Sequence, residues 1–185
     1  MQNIIATIPG KLRIETYVKG NHVDPSVKPV DFFFGQERFP LAIEAHDEVP
    51  CFFIHKDGYF GAIKISKEDA ISDKIINDLG QALKDNGLHG EDLEVIMGPS
   101  LGFSHTPVES EELEAVLPKY RGACKITSGV NYLDIPLMCF LQFRALGVHM
   151  ANIHCSDYDT FENPSLLYSK TRGEEEENVT LATLL

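Results

Sequence analysis

Histidine and cysteine fall together twice in this chain: His46, Cys51 and His55 in the first half, and His149, His154 and Cys155 in the second. Imidazole nitrogen and thiolate sulfur are donors that zinc prefers, so either group could be a metal site. The spacings are not those of a zinc knuckle, and the four cysteines, at 51, 124, 139 and 155, form no Cys-x-x-Cys pair. The same residues could instead support nucleophilic catalysis. Cys51, or Cys155 beside His154, would attack with His46, His55, His105 or His154 as base, as in a cysteine-dependent hydrolase or deamidase. A lysine ammonium beside the thiol would favour its thiolate. The plain alternative is that the histidines are satisfied core or edge residues and the cysteines are free thiols acting as small buried hydrophobes.

A third stretch, VIMGPSLGFSHTPVES at residues 95–110, turns at Gly98-Pro99 and at Gly102 and then presents Ser104 and His105. Its second glycine is not followed by Lys-Ser/Thr, so it is no phosphate-binding P-loop, and Ser100 lies in Gly-Pro-Ser-Leu-Gly rather than in a nucleophile elbow. It reads as a sharp passage from a strand to a helix.

Short strands and helices must bring these segments together. Residues 4–18 suggest one or two strands around Pro9-Gly10, and FPLAIEA suggests another. CFFIHKDGYFGAIKI is two aromatic and β-branched runs joined by Asp57-Gly58, the dipeptide favoured in a two-residue type I′ turn. Regular pairing from that turn sets Cys51 opposite Lys64, with Phe53 and His55 on the face of Cys51. From Ser66 the apolar period becomes helical, which predicts one amphipathic helix capped by Ser66 or Ser72 and ended at Gly87. LEVIM is a strand, and SEELEAVLPKY a helix with Ser110 as N-cap and Pro118 as its stop. YLDIPLMCFLQFRALGV is a helix capped by Asp134 and closed by Gly147, and VHMANIHC is a strand. Four glutamates, 174–177, predict a solvated, mobile turn before a final strand-like run.

This mixture of strands and helices in 185 residues, 43% hydrophobic and 24% charged, predicts a single α/β or α+β domain spanning residues 1–185. Sixteen Lys and Arg against 28 Asp and Glu give a net charge of −12, which argues against nucleic acid and anionic membrane partners. The first residues lack the apolar core of a signal peptide and no run approaches a membrane span, so a cytoplasmic protein is expected.

In order and spacing, several phrases resemble the laccase-domain family, also called multicopper polyphenol oxidoreductase-like proteins, whose members act as zinc-dependent purine nucleoside phosphorylases and deaminases. MGPSLGFSHTPVE is similar to the family's Gly-Pro-x-Ile-Gly loop, and YLDIPLMCFLQFRALGV to its Asp-Leu-x-x-x-Asn-x-x-Gln-Leu-x-x-x-Gly-Val helix. IHCSDYDTF followed by LLYSKTRG is similar to its Cys-Thr segment and Phe-Phe-Ser-x-Arg-Arg-x-Gly. The resemblance covers roughly residues 16–185. It implies a layered α/β/β/α sandwich with a purine nucleoside-like ligand. It also implies three zinc ligands: a His in Val-His-Gly, a Cys in Ala-Asp-Cys-x-Pro and a His in His-Ala-Gly-Trp-Arg-Gly. Matched phrase by phrase, these positions hold Lys19 in VKGNHV, Glu48 in HDEVPC and Lys64 in AIKISKED, with Glu68 at the motif's Arg. Ser104 and His105 stand where the family often has cysteines, in a pocket wall. Lys170 and Arg172 match the Arg pair and could meet an anion there, or be solvated charges balancing the glutamates.

A protonated lysine, with a reference pKa of about 10.4, offers three donors and no lone pair. No zinc or other cofactor is therefore expected. Lys19, Glu48 and Lys64 would instead form a compact ionic cluster at the former metal site, or the lysines would be solvent-facing strand residues. Regular hairpin pairing conflicts with the cluster, since bringing Glu48 to Lys64 then needs a bulge or bend near Pro50. The resulting expectation is a non-catalytic or repurposed member that binds a small nucleoside-like molecule or a protein partner. The alternative is an enzyme, either a purine nucleoside phosphorylase or deaminase with an altered centre or a cysteine hydrolase.

Overall fold

The computed structural model describes residues 3–21, 27 and 29–185. Five strands form a central sheet in the order β11(Ile153–Cys155), β7(Leu93–Met97), β5(Val49–His55), β6(Phe60–Ile65), β3(Phe32–Gly35). All of its pairings are antiparallel except β11 with β7. Its middle strand β5 is covered on both faces, which explains its almost unbroken apolar sequence. On one side Phe52, Ala62 and Ile96 meet a four-stranded antiparallel sheet ordered β1(Ile4–Ile8), β2(Leu12–Thr16), β12(Asn178–Leu184), β4(Leu41–Ala45), in a core with Leu12, Ile14, Leu41 and Ile43. On the other side Cys51, Phe53, Ile63 and Val95 meet the helices α1(Lys67–Ile71), α2(Gly80–Asp85), α3(Ser110–Val116) and α4(Ile135–Ala145). A small sheet, β8(Pro107–Val108), β10(Val130–Leu133), β9(Cys124–Thr127), extends the helical side.

The expected α/β fold is thus observed, with three of the four layers of the expected α/β/β/α sandwich, as helices, five-stranded sheet and four-stranded sheet. Among the described residues no helix covers the outer side of the four-stranded sheet, where Arg13 and Glu15 pair at 2.9 Å. No helix among them is long and apolar enough to cross a membrane.

The hairpin at Asp57-Gly58 forms, but in another register. Only Gly58 adopts positive φ, at 83°, and its N–H donates to the His55 carbonyl at 2.9 Å while His55 N–H donates to Tyr59 O at 2.8 Å. The loop is therefore three residues long and ends in a glycine bulge, because Asp57 keeps the ordinary negative φ that a type I′ turn would forbid. Cys51 lies opposite Ile63, and Lys64 lies opposite Pro50. A one-residue slip exchanges the faces of a strand, so Lys64 projects away from Cys51 and onto the side of Pro50 and Glu48. The extra residue that brings Glu48 and Lys64 to one face sits at the turn and not near Pro50. The two-residue turn with both residues at positive φ occurs elsewhere, at Ser128 (52°) and Gly129 (78°), joining β9 to β10.

The expected single helix from Ser66 is broken. Ser66 and Asp69 form a reciprocal capping box, but the chain leaves α1 at Asp73, which takes φ 59°, and resumes as one wide π-helical turn, Ile75–Leu79, before α2. The backbone groups freed at the break are satisfied by a side chain from α4. The Gln142 amide, fully buried, donates to Ala70 O at 2.7 Å and accepts from Ile75 N at 3.2 Å. Gln142→Leu keeps the volume and strands the Ile75 N–H, an orphan worth about 1–3 kcal/mol, while Ala70 O keeps its bond from Asp73 N at 3.3 Å. A loss of about 1–3 kcal/mol in urea unfolding is the expected result. Two further expectations shift locally. The N-cap of α3 is Glu109, in a capping box with Glu112, rather than Ser110, and the strand expected over 148–155 is reduced to β11 behind a 3-10 turn.

Candidate functional site

β2, β4 and β6 deliver three family-matched segments to one end of the sheet-on-sheet layer. Lys64, on β6, pairs with Asp31 at 2.7 Å, and its backbone N–H donates to Asp31 O at 2.9 Å. Partial burial pulls the ammonium pKa down, but contact with Asp31 and the fields of Glu48 and Glu177 outweigh it, and the pKa stands above the ordinary lysine value. Glu48, just before β5, accepts the backbone N–H groups of His46 at 2.8 Å and Asp47 at 3.2 Å through Oε2. Lys19, beyond β2, reaches neither. Its backbone is tied to Leu166 O at 3.0 Å, its ammonium lies 4.7 Å from the centre of the Tyr168 ring, and it pairs with Glu174.

The four glutamates are not the free turn expected of them. Glu174 receives Lys19, Arg172 and the backbone N–H of Ser169 at 2.9 Å. Glu175 offers its carbonyl to His46 Nε2 at 2.9 Å, and the Glu177 carboxylate lies 3.7 Å from His46 Nδ1. The run is thus a strap that carries carboxylates past Lys19, His46 and Lys64. Arg172, matched to the family's Arg pair, also holds the carbonyls of Thr160, Phe161 at 2.6 Å and Leu167 at 2.5 Å, whereas Lys170 is exposed.

Asp47, which sequence reasoning passed over although it matches the Asp of Ala-Asp-Cys, is the hub of the loops. Its carboxylate accepts Thr160 Oγ1 at 2.6 Å and both the N–H and Oγ1 of Thr171, at 2.9 and 2.8 Å, while its carbonyl accepts Leu101 N at 3.0 Å. Beside it a cavity of about 140 Å³ is lined by Glu48, Ser66, Lys67, Glu68, Leu101 and Thr106 among others. Lys67, paired with Glu112 at 2.7 Å, separates it from a wider cleft of about 440 Å³ bordered by Glu109, Ser110 and Asn131. Ser104 is exposed, and His105 stacks on Phe161 at 4.0 Å with its Nε2 2.5 Å from Glu162, so neither lines the smaller cavity.

The cysteines and remaining histidines are scattered through the layers. Cys51 is fully buried, and burial, followed by the neighbouring Cys139, pushes its thiol well above the ordinary value. Cys155 is exposed at the end of β11, yet partial burial of its sulfur and the nearby Cys139, Asp134 and Asp157 raise it too. His55 is a satisfied core residue whose ring accepts from Asp57 N at 3.2 Å and meets His89 O at 3.2 Å. His149 and His154 are exposed. Among the described residues, no group of three or more His, Cys, Asp or Glu side chains is placed to hold a metal ion.

Glu174 gives the site a pH signature. Its carboxyl is held down to about 2, first by Lys19, against the opposing effect of burial, with the Ser169 N–H and Arg172 adding to the depression. The folded-state pKa lies below the unfolded one, so the contribution is complete above about pH 4.5 and disappears as pH falls through about 2. The carboxylate is partly solvated, so the gain is modest. Glu174→Gln should lower stability at pH 6 by an amount that closes toward zero across that window. A gap that does not change with pH would rule out charge as its origin.

Residues 19–182 match the family described as multi-copper polyphenol oxidoreductase laccase. No curated protein matches the chain. Several solved structures share its fold, three of them as follows. The Neisseria meningitidis protein NMB0706, family-model DUF152, has TM-score 0.82 at 13% identity over 100% of this chain and 99% of its own. The hypothetical protein YfiH of Bacillus licheniformis has TM-score 0.76 at 15% identity, over 91% of this chain and 73% of its own. YlmD of Geobacillus stearothermophilus has TM-score 0.75 at 21% identity, over 84% of this chain, which spans only 61% of that protein.

Proposed function

Because the chain belongs to the multi-copper polyphenol oxidoreductase laccase family, we propose that it is a member in which two separate lysine–carboxylate pairs, rather than the expected compact cluster, stand in place of the metal centre, and that it binds a small molecule without metal-dependent catalysis. One observation carries this reading: two of the three family ligand positions hold ammonium groups, and each is engaged by a carboxylate, Lys19 by Glu174 and Lys64 by Asp31. Zinc and copper both require lone pairs from imidazole, thiolate or carboxylate, and a lysine whose pKa is raised above the ordinary value offers none at neutral pH. Glu48 alone retains a ligand oxygen, and one of its two is already accepting two backbone N–H groups. The residues present do not fit the ion. The smaller cavity falls below the roughly 300 Å³ of usual ligand pockets, so a nucleoside-like molecule would also use the cleft across Lys67.

The cysteine-hydrolase alternative finds little support, since burial of Cys51 and the raised thiol of Cys155 oppose a thiolate at neutral pH. The test is turnover of inosine and adenosine, with and without phosphate and with added zinc. The expected outcome is no release of base or ammonia above the uncatalysed level in any condition, with saturable nucleoside binding by calorimetry. Zinc-stimulated turnover would overturn the proposal.

A further inference from the structure

Glu174 lies in a cradle of donors that come from separate parts of the chain. The Lys19 ammonium and a guanidinium nitrogen of Arg172 contact its carboxylate, and Ser169 N–H donates to Oε2 at 2.9 Å. Among the described residues, the Ser169 hydroxyl, on a residue with no exposed surface, has no hydrogen-bond partner. Two cations, one of them a guanidinium with its planar fork, together with a backbone N–H and a hydroxyl, make up the donor set by which proteins recognise carboxylate and phosphoryl groups. Tyr168 under the ammonium and the carbonyls around Arg172 fix both cations in place. The occupant here belongs to the chain itself and is delivered by a reversal at Gly173, whose φ of 86° lets Glu174 N–H return to Ser169 O at 3.2 Å.

We propose that Lys19, Arg172 and Ser169 form an oxyanion-binding site in which Glu174 is an internal plug, displaced by a ligand carrying a phosphoryl or carboxylate group. The proposal rests on the preceding reading, in which Lys19 is free of any metal centre. The strap is held at its turn by the backbone bonds Gly173 N–H to Lys170 O at 2.8 Å and Glu174 N–H to Ser169 O at 3.2 Å and further on by His46, while the Glu175, Glu176 and Glu177 side chains are exposed, so lifting the plug breaks these surface bonds and leaves the apolar core in place. A tethered carboxylate competes at an effective concentration in the millimolar range, which makes the site insensitive to trace anions and responsive to an abundant or multiply charged one.

The experiment compares the parent with Glu174→Ala in metal-free buffer, titrating inorganic phosphate at constant ionic strength by calorimetry and by the Ser169 amide resonance. The expected result is that Glu174→Ala binds phosphate at least about tenfold more tightly than the parent, and that adding Lys19→Gln abolishes the gain. Equal affinity in parent and variant, no binding by either, or a gain that survives Lys19→Gln would overturn the plug. Should Glu174→Ala fail to fold, Glu174→Gln gives the same comparison without the charge. In the parent itself, a Ser169 resonance that phosphate does not move overturns the proposal. Zinc binding by the parent would instead defeat the preceding reading, whatever phosphate does.

Discussion

Arg172→Met is expected to lower the stability of the protein by about 3–5 kcal/mol. The Arg172 side chain is 15% exposed, and its guanidinium satisfies the carbonyls of Thr160, Phe161 and Leu167 together with the Glu174 carboxylate. Methionine preserves the length and packing of the stem and removes every donor. Thr160 and Leu167 are themselves fully buried, so water does not readily take the place of the lost partner. Arg172→Lys should recover only part of the loss, because a single ammonium cannot serve four acceptors on two edges of a fork. Urea unfolding of the three proteins checks this, and a loss under about 1 kcal/mol for methionine would mean that the carbonyls find other donors. The consequence for the site is direct. The segment around Thr160 and Thr171, held from the other side by Asp47, forms the floor on which the strap rests.

Gly61→Ala should cost about 2–4 kcal/mol, by overpacking rather than by loss of a contact. A Cβ at Gly61 would stand 2.5 Å from the Phe33 carbonyl of β3 and 2.3 Å from the Phe53 ring. Phe53 is fixed in the core beneath the helices, so the edge strand β3 must yield. As it peels from β6 it carries Asp31 away from Lys64. The expected pair of results is a lower unfolding midpoint and a lower Lys64 pKa by NMR, since the contact that outweighs its partial burial is lost. A destabilised variant with an unchanged Lys64 would show that Asp31 is held independently of β3.

The hairpin shows how far the sequence could be read. Asp57-Gly58 announced a turn, but register depends on whether Asp57 adopts positive φ, and that is decided by how the whole strand packs. At Ser128-Gly129 both residues do so, between the runs Cys-Lys-Ile-Thr and Val-Asn-Tyr-Leu, too short to stand out as strands. The break at Asp73 carried no local signal either, because its repair comes from Gln142, which lies 67 residues from Ile75 in sequence. For the candidate site, Lys19, Glu48 and Lys64 were reachable only through the order of family phrases. Glu174, the partner of Lys19, is 155 residues away and was one of four identical glutamates expected to face solvent. The usable signal was charge. An acidic run begins one glycine after Arg172 in a chain whose lysines occupy positions that a family would fill with histidine.

Metal content tests the central claim most directly. The purified chain, incubated with excess zinc and separately with copper and then passed through a desalting column, should retain far less than one ion per chain by plasma mass spectrometry, and Lys64→His alone should not restore binding. Retention of one zinc or copper ion per chain by the unmodified protein, lost on replacing Glu48 by Gln, would contradict the vacated centre.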